Sequence, residues 1–245
     1  MSKPMSCILL TNEHEHLSGA AEQFARRLFD VRHVSRYPRD AKALAPEVEQ
    51  LAQSRSQRID YLFNFLSPVI VPHEILRAIR KSSINFHPAP PKWPGVGSAS
   101  LALYEGDEVF GATAHAMIAK VDSGAILRAI RFPILLQDDC QSLFGRAREF
   151  ALLLFYDVLT ELARGGKIDP SGDTWERPAV TRAEFENWMR ISLDDEPEEI
   201  LRKARALSHP RLPGPYVELA GMRFYLPAGA TVPLKSMSIA RGVAA

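Results

Sequence analysis

Apolar positions along the chain fall into short blocks whose spacing alternates between two periods. CILLT at 7–11 is a brief apolar run bounded by polar residues, and LSGAAEQFARRLF at 17–29 then repeats apolar positions at helical spacing. VRHVS at 31–35 is β-branched, KALAPEVEQLAQ at 42–53 is helical in composition, and DYLFNFLS at 60–67 is almost wholly apolar, as a strand covered on both faces should be. PHEILRAIRKS at 72–82 opens with a proline suited to a first helical position and sets Ile75, Leu76 and Ile79 on one stripe. SINFH at 83–87 then resumes strand character. Strand and helix in repetition predict an α/β fold with a doubly wound, mainly parallel, Rossmann-like sheet.

Two further strands are expected over 109–119 and 125–134, followed by one long helix over 138–166 that ends in a glycine pair suited to a C-cap. This closes a first domain, residues 1–166. KIDPSGDTWERP at 167–178 reads as a linker or an ordered surface crossing. Beyond it, TRAEFENWMR and EPEEILRKARALSH suggest short helices, and strands Tyr216–Leu219 and Met222–Leu226 are expected around a turn at Ala220-Gly221. Residues 167–245 therefore form a small helix and β-hairpin appendage.

Composition narrows the class. Hydrophobic residues make up 46% and charged residues 24% of 245 positions, ordinary globular values, and no window approaches the ~20 apolar residues that cross a bilayer. The CILL run gives way to charges at once, so a soluble, cytoplasmic protein with no membrane association is expected. Cys7 and Cys140 read as free thiols, too few for a disulfide framework or a zinc ligand set. With 30 Lys and Arg against 29 Asp and Glu there is no basic field to attract a phosphate backbone, which argues against a nucleic-acid partner.

The densest chemistry lies in INFHPAPPKWPGVGSAS, which begins at Ile84. Asn85 and His87 are two apart on a strand and so share a face, and Pro88 stops the ladder directly afterwards. The carboxyl end of a strand is where ligands bind in open α/β sheets, although a histidine satisfied inside the core fits as well. Downstream, His115 lies in a strand-like run, and Asp122 follows in a turn closed by Ser123-Gly124, as a turn former or as a held carboxylate. Trp93 can either stack on a ligand or pack its own loop. His14 and His16 lack the helical zinc spacing and suit a polar loop, while Ser98 suits an N-cap. Asp194, Asp195, Glu196, Glu198 and Glu199 suit a helix start.

Taken together, NFHP at 85–88, WPG at 93–95 and GATAHAM with DSGAIL between 111 and 127 resemble the motifs of the folate-dependent formyltransferases, and FNFLSPVIVPHEIL at 63–76 is similar to their folate-side loop. The resemblance covers roughly residues 58–165 and is nearest to the sugar N-formyltransferases. It implies a formyl group moved from N10-formyltetrahydrofolate to a primary amine, without a metal. His87 would then be the general acid and base, Asn85 an oxyanion donor, and Asp122 the group that orients His87. Leu66, Ser67, Pro68, Ile70, Val71, Ala116, Met117 and Val121 would contact the folate, through the backbone groups of their loops, and Pro90, Trp93 and Gly95 the acceptor. Ala89-Pro90-Pro91 and Pro94 depart from the family pattern where it meets its acceptor. The short, acid-opening tail argues against a tRNA acceptor, and the resemblance to the sugar N-formyltransferases implies a nucleotide-linked amino sugar and a homodimer; hydroxyornithine, methionyl-tRNA, or a non-catalytic folate- or nucleotide-binding role are the alternatives.

Overall fold

The computed structural model describes residues 4–54, 56–210 and 212–227. Its first half alternates β1 (Ser6–Asn12), α1 (Ser18–Leu28), β2 (Asp30–Tyr37), α2 (Pro46–Gln53), β3 (Tyr61–Phe65), α3 (His73–Ala78) and β4 (Ser82–His87). After α4 (Ser98–Glu105) come β5 (Val109–Ala116), β6 (Ile126–Pro133) and the long α5 (Cys140–Ala163). The sheet has six strands in the order β2-β1-β3-β4-β5-β6. Pairs among β1 to β4 are parallel, while β5 runs antiparallel to both β4 and β6, so the sheet is mixed and mostly parallel.

Strand alternation splits the core between the two faces. Phe63, Phe65, Ile84 and Phe86 face α1 and α5, where Ala25, Phe155 and Leu159 complete the packing. Ile8, Leu10 and Leu62 point the other way, against Val48 of α2 and Ile75 of α3. Phe155 is the hub of the first layer, with ring centroids 6.1 Å from Phe63, 5.2 Å from Phe65 and 4.9 Å from Phe86. Helix α5 is capped at both ends. Asp139 and Ser142 exchange hydrogen bonds as a capping box, and the Gly165 and Gly166 N–H groups return to Leu162 O and Glu161 O at 3.0 and 3.1 Å.

Several expected boundaries move for local reasons. Helix α2 begins only at Pro46, because the residue before a proline is driven out of the helical region; Ala45 has ψ 137°. Helix α3 stops at Ala78 where Ile79 turns extended. Ser98 lies inside α4, and Gly97 at φ 75° is the N-cap: a Cβ there would come within 2.1 Å of the Phe185 ring. The strand expected over 109–119 ends at Ala116, where the chain leaves the sheet to fold back over it.

The later residues form α6 (Arg182–Trp188), α7 (Pro197–Ala206) and a hairpin of β7 (Tyr216–Leu219) and β8 (Met222–Tyr225), whose turn residues Ala220 and Gly221 have φ of 51° and 75°. Residues 228–245 of the expected appendage lie outside the described residues. Both cysteines are buried, and burial pushes the Cys7 thiol up to about 12. Among the described residues no helix is long and apolar enough to cross a membrane. Replacing Phe155 by Ala should destabilise the fold by about 3–5 kcal/mol, read as a lower urea midpoint at unchanged slope.

Candidate active site

The reversal at β5 assembles the polar cluster. Its register sets His115 beside Asn85 and Thr113 beside His87. All four side chains share the sheet face opposite Phe86 and Ala114, so a strand pattern that buries aromatics on one side collects polar groups on the other. The loop after β5 then folds back, fixed by Met117 N–H donating to Ser83 O at 2.8 Å and Ala116 N–H to Ala125 O at 2.9 Å. It delivers Asp122 into the cluster. Asp122 itself has φ 42°, the left-handed region that a non-glycine residue enters only when its surroundings hold it there.

The Asp122 carboxylate is 8% exposed and is met from four directions. Gly95 N–H donates to Oδ2 at 2.9 Å, and His87 Nδ1 lies 3.4 Å from the same oxygen. His115 Nε2 is 3.1 Å from Oδ1, and Asn85 Nδ2 donates to Oδ1 at 3.3 Å. Burial alone would raise the carboxyl, but the His87 charge, the hydrogen bond and charge of His115 and the Gly95 N–H together hold it well below the usual carboxylate range.

Hydrogen-bond arithmetic fixes the tautomers. His115 Nδ1 is 2.9 Å from Ala116 O, which can only accept, so Nδ1 carries a proton. In the neutral ring Nε2 is then an acceptor and takes a hydrogen from Asn85 Nδ2 at 3.0 Å. In the imidazolium, Nε2 donates to Asp122 instead and Asn85 is released. His87 Nε2 likewise faces a carbonyl, Trp93 O at 3.0 Å, which leaves Nδ1 directed at Asp122. Two imidazoles thus flank one carboxylate, each with one ring nitrogen on a backbone carbonyl and the other turned to Asp122.

Of the residues expected from sequence, the structure brings Asn85, His87 and Asp122 together, and Gly95 joins them through its backbone. The stacking role considered for Trp93 is corrected. The indole is 1% exposed, its Nε1–H donates to Asp107 Oδ2 at 2.7 Å, and Arg177 lies 3.8 Å over its ring. No face is open to a ligand, and Trp93 serves His87 through its carbonyl. Pro90 is buried as well, its carbonyl accepting from Trp93 N–H at 2.9 Å, which turns the loop and corrects its side chain as an acceptor contact.

On the folate-side loops, Leu66 turns the chain at φ 58° and Ser67 Oγ accepts from Val69 N–H at 3.4 Å. Ile70, Ile118 and Val121 are left 61%, 51% and 43% exposed, and Pro68, Ala116 and Met117 are half-buried. Val71 keeps its side chain in the buried cluster with Ile75 and Val69, so it faces the loop with its backbone.

Sequence reasoning missed Trp175. Its Nε1–H donates to Gly124 O at 2.8 Å, and its ring meets those of His115 and His87 edge-on at 5.1 and 6.3 Å. It sits in the 167–178 crossing, where no periodicity marks it. Its segment is sewn to the Trp93 loop by Val96 N–H donating to Val180 O and Val180 N–H to Pro94 O, each at 3.0 Å. Gly95 is required at that seam, where φ is 88° and a Cβ would lie 2.2 Å from Val180 O. His115 was visible in sequence only as a strand residue; its spacing of seven from Asp122 was the available signal.

The family model described as formyl transferase matches residues 19–159. Among curated proteins the chain is 28% identical over 208 residues to methionyl-tRNA formyltransferase of Paraburkholderia phymatum, covering 82% of this chain and 60% of that protein. It is 26% identical over 167 residues to GDP-perosamine N-formyltransferase of Brucella melitensis, covering 65% and 61%. The chain thus spans about 60% of the length of these curated relatives. A sugar N-formyltransferase structure from a Shewanella species superposes at TM-score 0.71 and 18% identity, over 91% of this chain and 96% of that one. An N-formyltransferase of Helicobacter canadensis, in complex with folinic acid and dTDP-3-aminofucose, gives TM-score 0.65 at 14% identity over 90% and 86%. At such identities these structures show a shared fold.

The depressed Asp122 carboxyl makes a signed prediction. A folded-state pKa below the unfolded value contributes stability above about pH 4 that is lost as pH falls further. Asp122→Asn should therefore be less stable than the parent at pH 7, and the gap in urea midpoint should narrow below about pH 4.

Proposed function

The chain belongs to the formyl transferase family, and we propose that it moves the formyl group of N10-formyltetrahydrofolate onto the primary amine of a nucleotide-linked amino sugar. The observation that carries this reading is the convergence of Asn85, His87 and Asp122 on one small volume, with His115 bridging them. The surroundings fit a folate. Exposed Ile70, Ile118 and Val121 offer apolar cover for a flat ring system on the two loops that border the cluster.

When bound, the folate would supply an activated formyl carbon on a nitrogen leaving group. Asn85 supplies an amide hydrogen to the formyl oxygen as negative charge grows there, a hydrogen set free when His115 is protonated and turns to Asp122. With its Nε2–H held by Trp93 O, His87 accepts the proton lost by the attacking amine at Nδ1 and returns it from there to the departing nitrogen, so no proton is gained or lost overall. Asp122 stays ionised, orients His87 and His115, and offsets their charge. We place this chemistry in residues 1–166, with the 167–245 region adding the Trp175 wall.

The acceptor assignment is supported by the 26% identity to GDP-perosamine N-formyltransferase, together with a fold shared with the Shewanella sugar N-formyltransferase over 96% of its length. The 28% identity to methionyl-tRNA formyltransferase sustains methionyl-tRNA as a second reading. The reading extends to a cytoplasmic homodimer, in which a second copy can cover exposed Leu219, Met222 and Phe224 of the hairpin; sedimentation would test it.

Incubation with N10-formyltetrahydrofolate and a panel of amino-sugar nucleotides, hydroxyornithine and charged initiator tRNA should give formylated amino sugar by mass spectrometry. Product on the tRNA alone would overturn the acceptor, and no product anywhere would favour a binding role. His87→Asn should lower turnover by about 10²–10⁴-fold while tetrahydrofolate still binds. Asn85→Ala should lower kcat by roughly 10²–10³-fold.

A further inference from the structure

The sheet face that carries the catalytic cluster also holds two polar atoms with nothing to bind. Asn64 Oδ1 and Ser83 Oγ are fully buried without a hydrogen-bond partner, in residues 6% and 7% exposed. Both belong to the central strands. Asn64 pairs in register with Asn85 on one side and Leu10 on the other, and Ser83 pairs with Leu62, one step back along the same face. The two orphans are thus diagonal neighbours, directly beside the oxyanion donor.

Their surroundings are apolar. Leu10, Leu62, Val69 and Val71 form the adjoining cluster, with Met117 packed against it. A buried carbonyl oxygen without a partner costs roughly what a lost hydrogen bond costs, and an apolar side chain of similar size would suit these surroundings better. Asn64 also lies at the foot of the Leu66–Val71 loop, and Ser83 O takes the Met117 N–H that roots the opposite loop. The orphans therefore mark the floor between the two loops assigned to the folate.

We propose that Asn64, with Ser83 beside it, receives the polar edge of the pteridine ring of the folate co-substrate and so sets the depth at which that ring seats beside Asn85. The inference rests on the folate reading above. A pteridine edge alternates donors and acceptors, so it satisfies the carboxamide in either orientation and the hydroxyl with it. Ile70 and Val121 cover the faces of the ring; Asn64 and Ser83 fix its rotation in the plane, as a few placed polar groups do in an apolar pocket.

Calorimetric titration of the full chain with tetrahydrofolate, together with the melting midpoint of the ligand-free protein, tests this. Asn64→Leu should bind tetrahydrofolate roughly tenfold more weakly, the effect of one lost hydrogen bond, and melt at the same or a higher temperature because the orphan is gone. Unchanged affinity would overturn the proposal, as would weaker binding that comes only with a lower melting midpoint. Should Asn64→Leu fail to fold, Ser83→Ala carries the same test, with a severalfold loss expected and an unchanged affinity overturning it. A parent protein that binds no tetrahydrofolate would defeat the folate reading and this inference together; a parent that binds and variants that bind equally would defeat the inference alone.

Discussion

A carboxylate removed from water must be met by donors, and the buried Asp122 sets that requirement for the whole site. An unpaired buried charge costs several kcal/mol, so the fold gathers four polar partners around this one group. They come from separate places: Asn85 and His87 from β4, His115 from β5, and Gly95 from the proline-rich loop. Satisfying the charge therefore ties two strands and two loops into a single unit. The left-handed backbone at Asp122 is held by the same bonds.

The antiparallel turn of β5 is what makes those bonds possible. Had β5 continued the parallel winding, its register would not have laid His115 against Asn85. The reversal also frees the loop after Ala116 to fold over the sheet, where a parallel strand would have led into a crossover helix. One change of strand direction thus creates the cluster and the loop that closes over it. The aromatic layer on the opposite face, centred on Phe155, gives the strands a rigid backing.

Much of this was legible in the residues. The alternation of apolar runs marked the strands through β4, and the two-residue spacing of Asn85 and His87 placed them on one face. The three catalytic candidates were found because their motifs are local and ordered in sequence. What stayed hidden depends on contacts between distant segments. Trp93 looked available because its neighbours are prolines and glycines, yet Asp107 and Arg177, remote in sequence, enclose it. Trp175 could not be read at all, since nothing in a charged crossing reveals which side chain turns inward. Asn64 was hidden for the opposite reason, as one polar letter in an apolar strand whose lack of a partner appears only in three dimensions.

The seam between Val180 and the Trp93 loop has a wider meaning. The two imidazoles and their carboxylate are encoded between Asn85 and Asp122, whereas the indole packed edge-on against them arrives from a stretch beyond the 19–159 match. Reactivity and enclosure are thus carried by separable parts of the chain, joined by a few main-chain hydrogen bonds. Sequence drift in the crossing can reshape what borders the cluster while the hydrogen bonds among Asn85, His115 and Asp122 are left in place.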